Sequence, residues 1–207
     1  MSVRELFVTP LYEASLEGER GFEALNAELE AACLMLAGED LAGRAWCREN
    51  GYGGYTSYAS LNDLPTRAPP FADLKRRLDR HVRTFAEALA YDLGPRGKLA
   101  LDSLWVNVLE PKAAHSGHVH PHSVISGTYY VATPPGSGGL RLEDPRLASM
   151  MAAPPRRADA PETLASFVTV QPGPGGLAMW ESFVRHEVLA HRGRGKRISV
   201  SFNYGWV

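Results

Sequence analysis

The apolar positions change period about halfway along the chain. Between roughly residues 19 and 37, Phe22, Leu25, Leu29, Cys33 and Leu36 recur three or four apart, while Glu23, Glu28 and Glu30 fall elsewhere. That spacing predicts an amphipathic helix, with Gly38 to stop it. A second helix is expected from Pro69-Pro70, since proline is tolerated in a first helical turn. Its apolar stripe is Phe71, Leu74, Leu78, Val82, Phe85 and Leu89, and Lys75, Arg76, Arg77, Arg80 and Arg83 lie on its solvated side, with Gly94-Pro95 as the expected end. Ahead of both helices, Glu5 to Tyr12 reads as a short apolar strand, and Pro10 within it favours a sheet edge. Residues 43–58, ending in Gly51-Tyr-Gly-Gly-Tyr-Thr-Ser-Tyr58, carry neither period and read as a packed loop or the mobile wall of a binding site.

From residue 99 onward the period falls to two. Leu104, Val106 and Val108 lie on one face of a strand over 99–109, and Ser103, Trp105 and Asn107 on the other. Further strands are expected over 126–133, 140–143, 167–170, 177–180 and 197–204, with Gly/Pro turns at 134–139 and 172–176 and a Pro-rich irregular excursion over 144–162. Two helices followed by a run of short strands predict an α+β fold with a mainly β core. The expected form is a jelly roll with two N-terminal helices packed on one sheet. Residues 1–207 are expected to form a single domain, with 1–98 as a helical N-terminal part and 99–207 as the catalytic core.

Composition narrows the function classes. Charged residues make up 22% of the chain and the formal net charge is -1. This gives no electrostatic case for nucleic acid or an anionic membrane surface, and the basic run on the second helix reads as a solvated face. The two cysteines, Cys33 and Cys47, suggest neither a disulfide framework nor a cysteine-based zinc site. No apolar run is long enough to cross a membrane and the N-terminus lacks a signal pattern, so a reducing cytoplasm is the default compartment.

Chemistry concentrates between residues 115 and 130. His115, His118, His120 and His122 are four of the chain's seven histidines. In an extended strand His118, His120 and His122 would share one face, close enough for two imidazoles to share a cation. His186 lies 66 residues beyond His120 and supplies a candidate distant ligand, while His191 precedes Arg192-Gly-Arg-Gly195 and is expected in a turn. In the last strand Arg197, Ser199, Ser201 and Asn203 alternate with Ile198, Val200, Phe202 and Tyr204. A polar inward face implies a ligand cavity. At its start Arg197 suits a bidentate carboxylate, and Ser199 can add a hydroxyl.

A His-x-His strand, a second histidine much later and Arg-x-Ser eleven residues after it resemble the Fe(II)/2-oxoglutarate-dependent oxygenases. More closely, Trp105-Val-Asn107, His118-Val-His120-Pro-His-Ser-Val-Ile-Ser-Gly-Thr-Tyr-Tyr130, Asp144-Pro-Arg146 and Arg197-Ile-Ser-Val-Ser-Phe-Asn203, with Gly54-Tyr-Thr-Ser57 fitting loosely, resemble a bacterial and phage family of such oxygenases. The resemblance spans about residues 6–205. It implies a prolyl-hydroxylase-like double-stranded β-helix, an oxidoreductase (dioxygenase) that binds Fe(II) and uses 2-oxoglutarate and dioxygen to oxidise a further substrate. On this reading His118, His120 and His186 bind the metal, with His122 as an alternative ligand. Arg197 and Ser199 hold the distal carboxylate, with Asn107 and Tyr130 beside the cosubstrate, and Trp105, Ser126 and Asn203 lie around the substrate or behind the ligands. The chain departs from the superfamily in offering only histidines where an Asp or Glu follows the first His. A cupin-type three-His dioxygenase without 2-oxoglutarate, and a non-enzymatic metal-dependent ligand-binding protein, are the alternatives. The expected partner is a small molecule or a peptide, and the exposed short strands are compatible with a homodimer.

Overall fold

A computed structural model describes residues 2–147 and 152–207; residues 148–151 of the Pro-rich excursion lie outside the described residues. The chain runs β1 (Leu11–Ser15), α1 (Phe22–Glu39), α2 (Leu41–Glu49), β2 (Gly54–Thr56), α3 (Pro69–Ala88), β3 (Leu99–Leu109), β4 (His115–His118), β5 (Ile125–Ala132), β6 (Leu140–Glu143), β7 (Phe167–Val170), β8 (Gly176–Glu181), β9 (His186–Val188) and β10 (Arg197–Trp206). Two antiparallel sheets result, a six-stranded one in the order β1-β8-β5-β10-β3-β2 and a four-stranded one in the order β4-β9-β6-β7.

Strand β10 lies between β3 and β5, and its alternation organises the molecule. Val200 stands opposite Val106 and Tyr129, whereas Ser199 stands opposite Asn107 and Tyr130. Because side chains alternate across a strand, Ile198, Val200, Phe202 and Tyr204 join one continuous apolar layer. That layer includes Leu104, Val106, Val108, Leu177 and Met179 from the sheet and Leu25, Leu29, Cys33, Leu74, Leu78, Val82 and Phe85 from α1 and α3. The opposite face is polar and looks toward the smaller sheet. The two helices thus cover the outer face of the large sheet, and the site lies between the sheets.

The helical stripes bury as their spacing predicts. In α3 the buried residues are Phe71, Leu74, Leu78, Val82, Phe85 and Ala86. Its end differs from expectation. The helix closes at Leu89, where Tyr91 N–H donates to the Ala86 carbonyl (3.1 Å), Ala90 N–H donates to the Glu87 carbonyl (3.0 Å), and Ala90 itself has φ 55°. This is the six-to-one, five-to-two closure of a Schellman motif, with alanine in the place that usually carries glycine, so the helix ends before Gly94-Pro95.

Three more expectations are corrected. The first strand begins after Pro10, and Leu6, Phe7 and Val8 are 57, 82 and 56% exposed; its edge position beside β8 is as expected. Residues 43–58 are not a loop, because they contain most of α2 and all of β2. Asp40 closes α1 and opens α2, its carboxylate accepting from Gly43 N–H (2.9 Å), from the Tyr55 hydroxyl (2.8 Å) and from Ser60 (2.5 Å). Sequence spacing did not reveal α2, which is nine residues long with Gly43 near its start. The N-terminal part is also more than helical, since β1 and β2 form the two edges of the large sheet. Both cysteines are buried and free. No described helix is long and apolar enough to cross a membrane.

Candidate active site

The smaller sheet brings the histidines together. His118 on β4 stands opposite His186 on β9, and a register irregularity between His115 and His118 puts two residues three apart on the same side. Their rings stack at 4.4 Å. Strand β4 ends at His118. The backbone N–H of His120 then donates to the Ser182 carbonyl at 3.1 Å, and the chain turns at His122, whose φ is 75°. The expected row of three is therefore broken after its second member. His122 is exposed and lies outside the cluster, because the left-handed residue ends the alternation. His118, His120 and His186 each present one ring nitrogen, and these atoms lie within 4.8 Å of one another.

Hydrogen bonding orients two of the three rings unambiguously. His118 Nδ1 lies 2.8 Å from the Ser116 carbonyl and His186 Nδ1 lies 3.0 Å from the Val184 carbonyl. A carbonyl only accepts, so both rings carry their proton on Nδ1 and present the Nε2 lone pair inward. His120 Nε2 is 3.2 Å from His186 Nε2. Burial pushes the imidazoles down, His120 to about 4 and His186 to about 3, with the neighbouring His118 adding to both shifts; His118 itself is lowered, chiefly by burial. All three are neutral at pH 7, the protonation state that binds metal.

The same cavity is closed at its other end by cationic and hydroxyl groups. Arg197 is 1% exposed. Its Nη1 donates to Ser199 Oγ at 3.2 Å, while Nε and Nη2 have no partner among the described residues. The guanidinium lies 5.1 Å from the centre of the Tyr130 ring, and the Tyr130 hydroxyl is also buried without a partner. Burial lowers the Arg197 pKa and raises that of Tyr130. Among the described residues no carboxylate forms an ion pair with Arg197. Asn107 lines the wall, donating from Nδ2 to Ser201 Oγ (3.1 Å) and accepting from the Tyr52 hydroxyl (3.4 Å).

Of the residues singled out from sequence, His118, His120, His186, Arg197, Ser199, Asn107, Tyr130 and Trp105 all line this cavity. Ser126 and Asn203 lie just behind it, bonded to each other at 2.8 Å, and Asn203 Nδ2 stands 3.3 Å from His120 Nδ1. His115, Tyr52, Thr128, Trp180 and Ser201 also line the cavity. Ser201 was legible from its alternation with Arg197 and Ser199. His115 was not, because the strand irregularity that turns it inward leaves no mark on spacing. None of the described residues of 144–162 lines the cavity; Asp144 and Arg146 pair with each other at 2.9 Å. His191 is fully buried away from the cluster, its Nε2 facing the Gly195 carbonyl at 2.8 Å.

Residues 103–203, which contain the whole histidine cluster, Arg197 and Ser199, match the family described as "Putative 2OG-Fe(II) oxygenase". Residues 103–203 are a 2OG-Fe(II) oxygenase domain. The family's description names iron and 2-oxoglutarate. Solved structures agree on the fold. A prolyl-4-hydroxylase from Pseudomonas putida is 17% identical, with 95% of this chain and 92% of that chain covered at a TM-score of 0.59. HygX from Streptomyces hygroscopicus, solved with nickel and 2-oxoglutarate bound, is 16% identical, with 96% and 82% covered and a TM-score of 0.56. The epimerase SnoN of nogalamycin biosynthesis is 15% identical, with 95% and 76% covered and a TM-score of 0.61. The alignment with a Burkholderia pseudomallei oxidoreductase spans about half of that protein, 52%. These likenesses identify the two sheets as a double-stranded β-helix. No curated protein sequence matches the chain.

The oxygenase domain's own side chains fit both groups. Three neutral imidazoles are a suitable donor set for Fe(II). The orphaned donors on Arg197 and Tyr130 lack only an anion, and a buried guanidinium without a counter-charge is costly unless a ligand brings one.

Proposed function

We propose that this protein is an Fe(II)- and 2-oxoglutarate-dependent hydroxylase acting on a small molecule or a peptide. His118, His120 and His186 are the metal ligands, and Arg197, Ser199 and Tyr130 hold the distal carboxylate of 2-oxoglutarate. The observation that carries this reading is the pairing, in one cavity, of three ring nitrogens within 4.8 Å of one another and a buried guanidinium with two unpartnered nitrogens. A cupin-type dioxygenase or a metal-dependent ligand-binding protein has no need of that guanidinium.

When bound, iron and 2-oxoglutarate supply the oxidising chemistry, splitting the cosubstrate to succinate and carbon dioxide as dioxygen is consumed. The chain's own residues bind, orient and exclude water. Arg197 can offer Nε and Nη2 to a carboxylate, and Tyr130 adds a hydroxyl donor from beside it. Asn107 stands opposite Ser199 on β3 and presents an amide to the same cavity. Trp105, Leu109, Leu140, Trp180 and Val188 form apolar wall, which strengthens each charge interaction by keeping water out.

Among the described residues no carboxylate joins the three imidazoles, and this has a consequence of its own. Three imidazoles leave the full charge of a divalent cation uncompensated, so the metal and the dianionic cosubstrate favour each other's binding. Anaerobic titration tests the reading: Fe(II) with 2-oxoglutarate should give a weak visible charge-transfer band that Arg197→Met abolishes. Failure of any band to develop with the intact protein would sink the proposal. The substrate is then sought by screening amino acids, peptides and metabolites for the gain of one oxygen atom.

A further inference from the structure

We propose that Tyr52 sets the chain length of the 2-oxo diacid that the site accepts, because it is the partition between the cavity holding Arg197 and a basic groove on the outside of the molecule. The inference deepens the function proposed above and rests on Arg197 holding the distal carboxylate.

Two hollows back onto each other at one end of the large sheet. Arg197 stands opposite Leu109, and Leu109 stands opposite Gly54, so β10, β3 and β2 are level there. Neighbouring side chains point to opposite faces of a strand. Leu109 and Arg197 accordingly line the inner cavity, whereas Val108, Glu110 and Lys196 line the outer groove with Arg44 and Arg48. Among the described residues Tyr52 is the one that lines both. Its ring stands edge-on to His115, with centroids 5.3 Å apart, and its hydroxyl reaches toward Asn107 Oδ1 at 3.4 Å. The ring is therefore the wall that ends the cavity.

The backbone pins this wall in place. Tyr52 N–H donates to the Cys47 carbonyl near the end of α2 (2.8 Å), and the Tyr52 carbonyl accepts from Gly54 N–H (2.9 Å). The next two residues lie too close to their neighbours for side chains. A Cβ on Gly53 would fall 2.9 Å from the Ala113 methyl, and one on Gly54 would run into the Val108 carbonyl oxygen. Glycine at both positions lets the segment lie flat against β3 and fixes where the ring enters.

A diacid held at one end by the metal and at the other by Arg197 has its length fixed. One further methylene drives the distal carboxylate past Arg197 and against the Tyr52 ring, an apolar surface that does not replace the water the carboxylate gives up. Without the ring the cavity would run on into the outer groove. There Arg44, Arg48 and Lys196 outnumber Glu110, which pairs with Lys196 at 3.3 Å, and the excess positive charge favours an anion. The partition thus excludes longer diacids from a space whose far side would receive them.

The test is calorimetric binding of 2-oxoglutarate and of its six-carbon homologue, 2-oxoadipate, to the Ni(II)-loaded protein. The parent should prefer 2-oxoglutarate by about 10–200-fold, the discrimination one methylene can give. Tyr52→Ala should shrink that ratio by at least about tenfold and bind 2-oxoadipate more tightly than the parent does. Tyr52→Phe, which keeps the ring and loses the hydroxyl, should keep the parent's ratio. A general loosening of the site weakens both acids alike and leaves the ratio where it was. Should Tyr52→Ala not fold, Tyr52→Leu takes its place, with the ratio expected to fall in the same direction. Equal binding of the two acids by the parent, an unchanged ratio in the folded Ala or Leu variant, or an equal fall in Tyr52→Phe would each overturn the inference. A parent that binds neither acid shows instead that the Arg197 site does not hold the cosubstrate, a failure of the underlying reading that no change of ratio imitates.

Discussion

The Arg197 guanidinium lies 5.1 Å from the centre of the Tyr130 ring, in a cavity where neither side chain's remaining donors meet an acceptor. A buried cation held this way destabilises the protein until an anion arrives, because its desolvation is not repaid by a partner charge. Arg197→Met should therefore leave the melting temperature of the ligand-free protein unchanged or raise it. The same substitution should weaken 2-oxoglutarate binding by about 30- to 1000-fold, the usual consequence of removing one partner of a buried charge pair. Thermal melting with and without 2-oxoglutarate reads both effects; a large loss of ligand-free stability would show that Arg197 is chiefly a structural residue.

His118 and His122 occupy equivalent places in the His-x-His pattern but not in the structure. His118→Ala should abolish tight metal binding, since it removes one of the three ring nitrogens that lie within 4.8 Å of one another. His122→Ala should leave metal affinity within about twofold of the parent, as expected for an exposed side chain outside the cluster. Calorimetry with Zn(II) or Ni(II) on the two variants distinguishes them.

Acid should destabilise the metal-free protein through the same cluster. Burial holds His115 at about 3, His120 at about 4 and His186 at about 3 in the folded state, against an ordinary value of 6.5. Below pH 6.5 the unfolded chain takes up protons that the folded site refuses, so stability is lost as pH falls from about 6.5 toward about 3. Each ring contributes a slope of at most about 1.4 kcal/mol per pH unit. Melting temperatures between pH 7.5 and 5 should fall, and His115→Leu should make the fall shallower; a flat profile over that range contradicts the neutral, buried cluster.

The end of α3 offers a stability test away from the site. Ala90 adopts φ 55° at the position after the helix cap, where an L side chain is strained and glycine is not. Ala90→Gly should stabilise the protein by about 0.5–1 kcal/mol, less any entropy glycine adds to the unfolded chain. Chemical denaturation measures it, and a clear loss would mean the alanine methyl makes a packing contribution larger than the strain.

What was legible in the chain follows from which signals are local. The stripes of α1 and α3 and the two-faced pattern of β3 and β10 are set by burial on one side, so period alone located the apolar layer and the polar wall carrying Asn107, Arg197 and Ser199. His186 could be singled out because it lies 66 residues beyond His120 and eleven before Arg197. Where geometry depends on a single irregular residue, spacing misled: φ 75° at His122 ends the row of histidines, and the irregularity in β4 turns His115 inward. Helix α2 was missed because its beginning is dictated by the Asp40 carboxylate and its tertiary partners Tyr55 and Ser60, none of which shows as a period. The Pro-rich excursion attracted attention for its composition, yet its described residues stand apart from the cavity, and Tyr52 from the Gly/Tyr segment contributes to the wall instead.

The most direct test of the central claim is turnover of 2-oxoglutarate by the purified protein with Fe(II) under dioxygen. The account predicts succinate formation that requires both iron and oxygen, is lost in His186→Ala and is reduced in Arg197→Met in proportion to its weaker cosubstrate binding. Iron-dependent oxygen uptake without any succinate, unaffected by Arg197→Met, would contradict it.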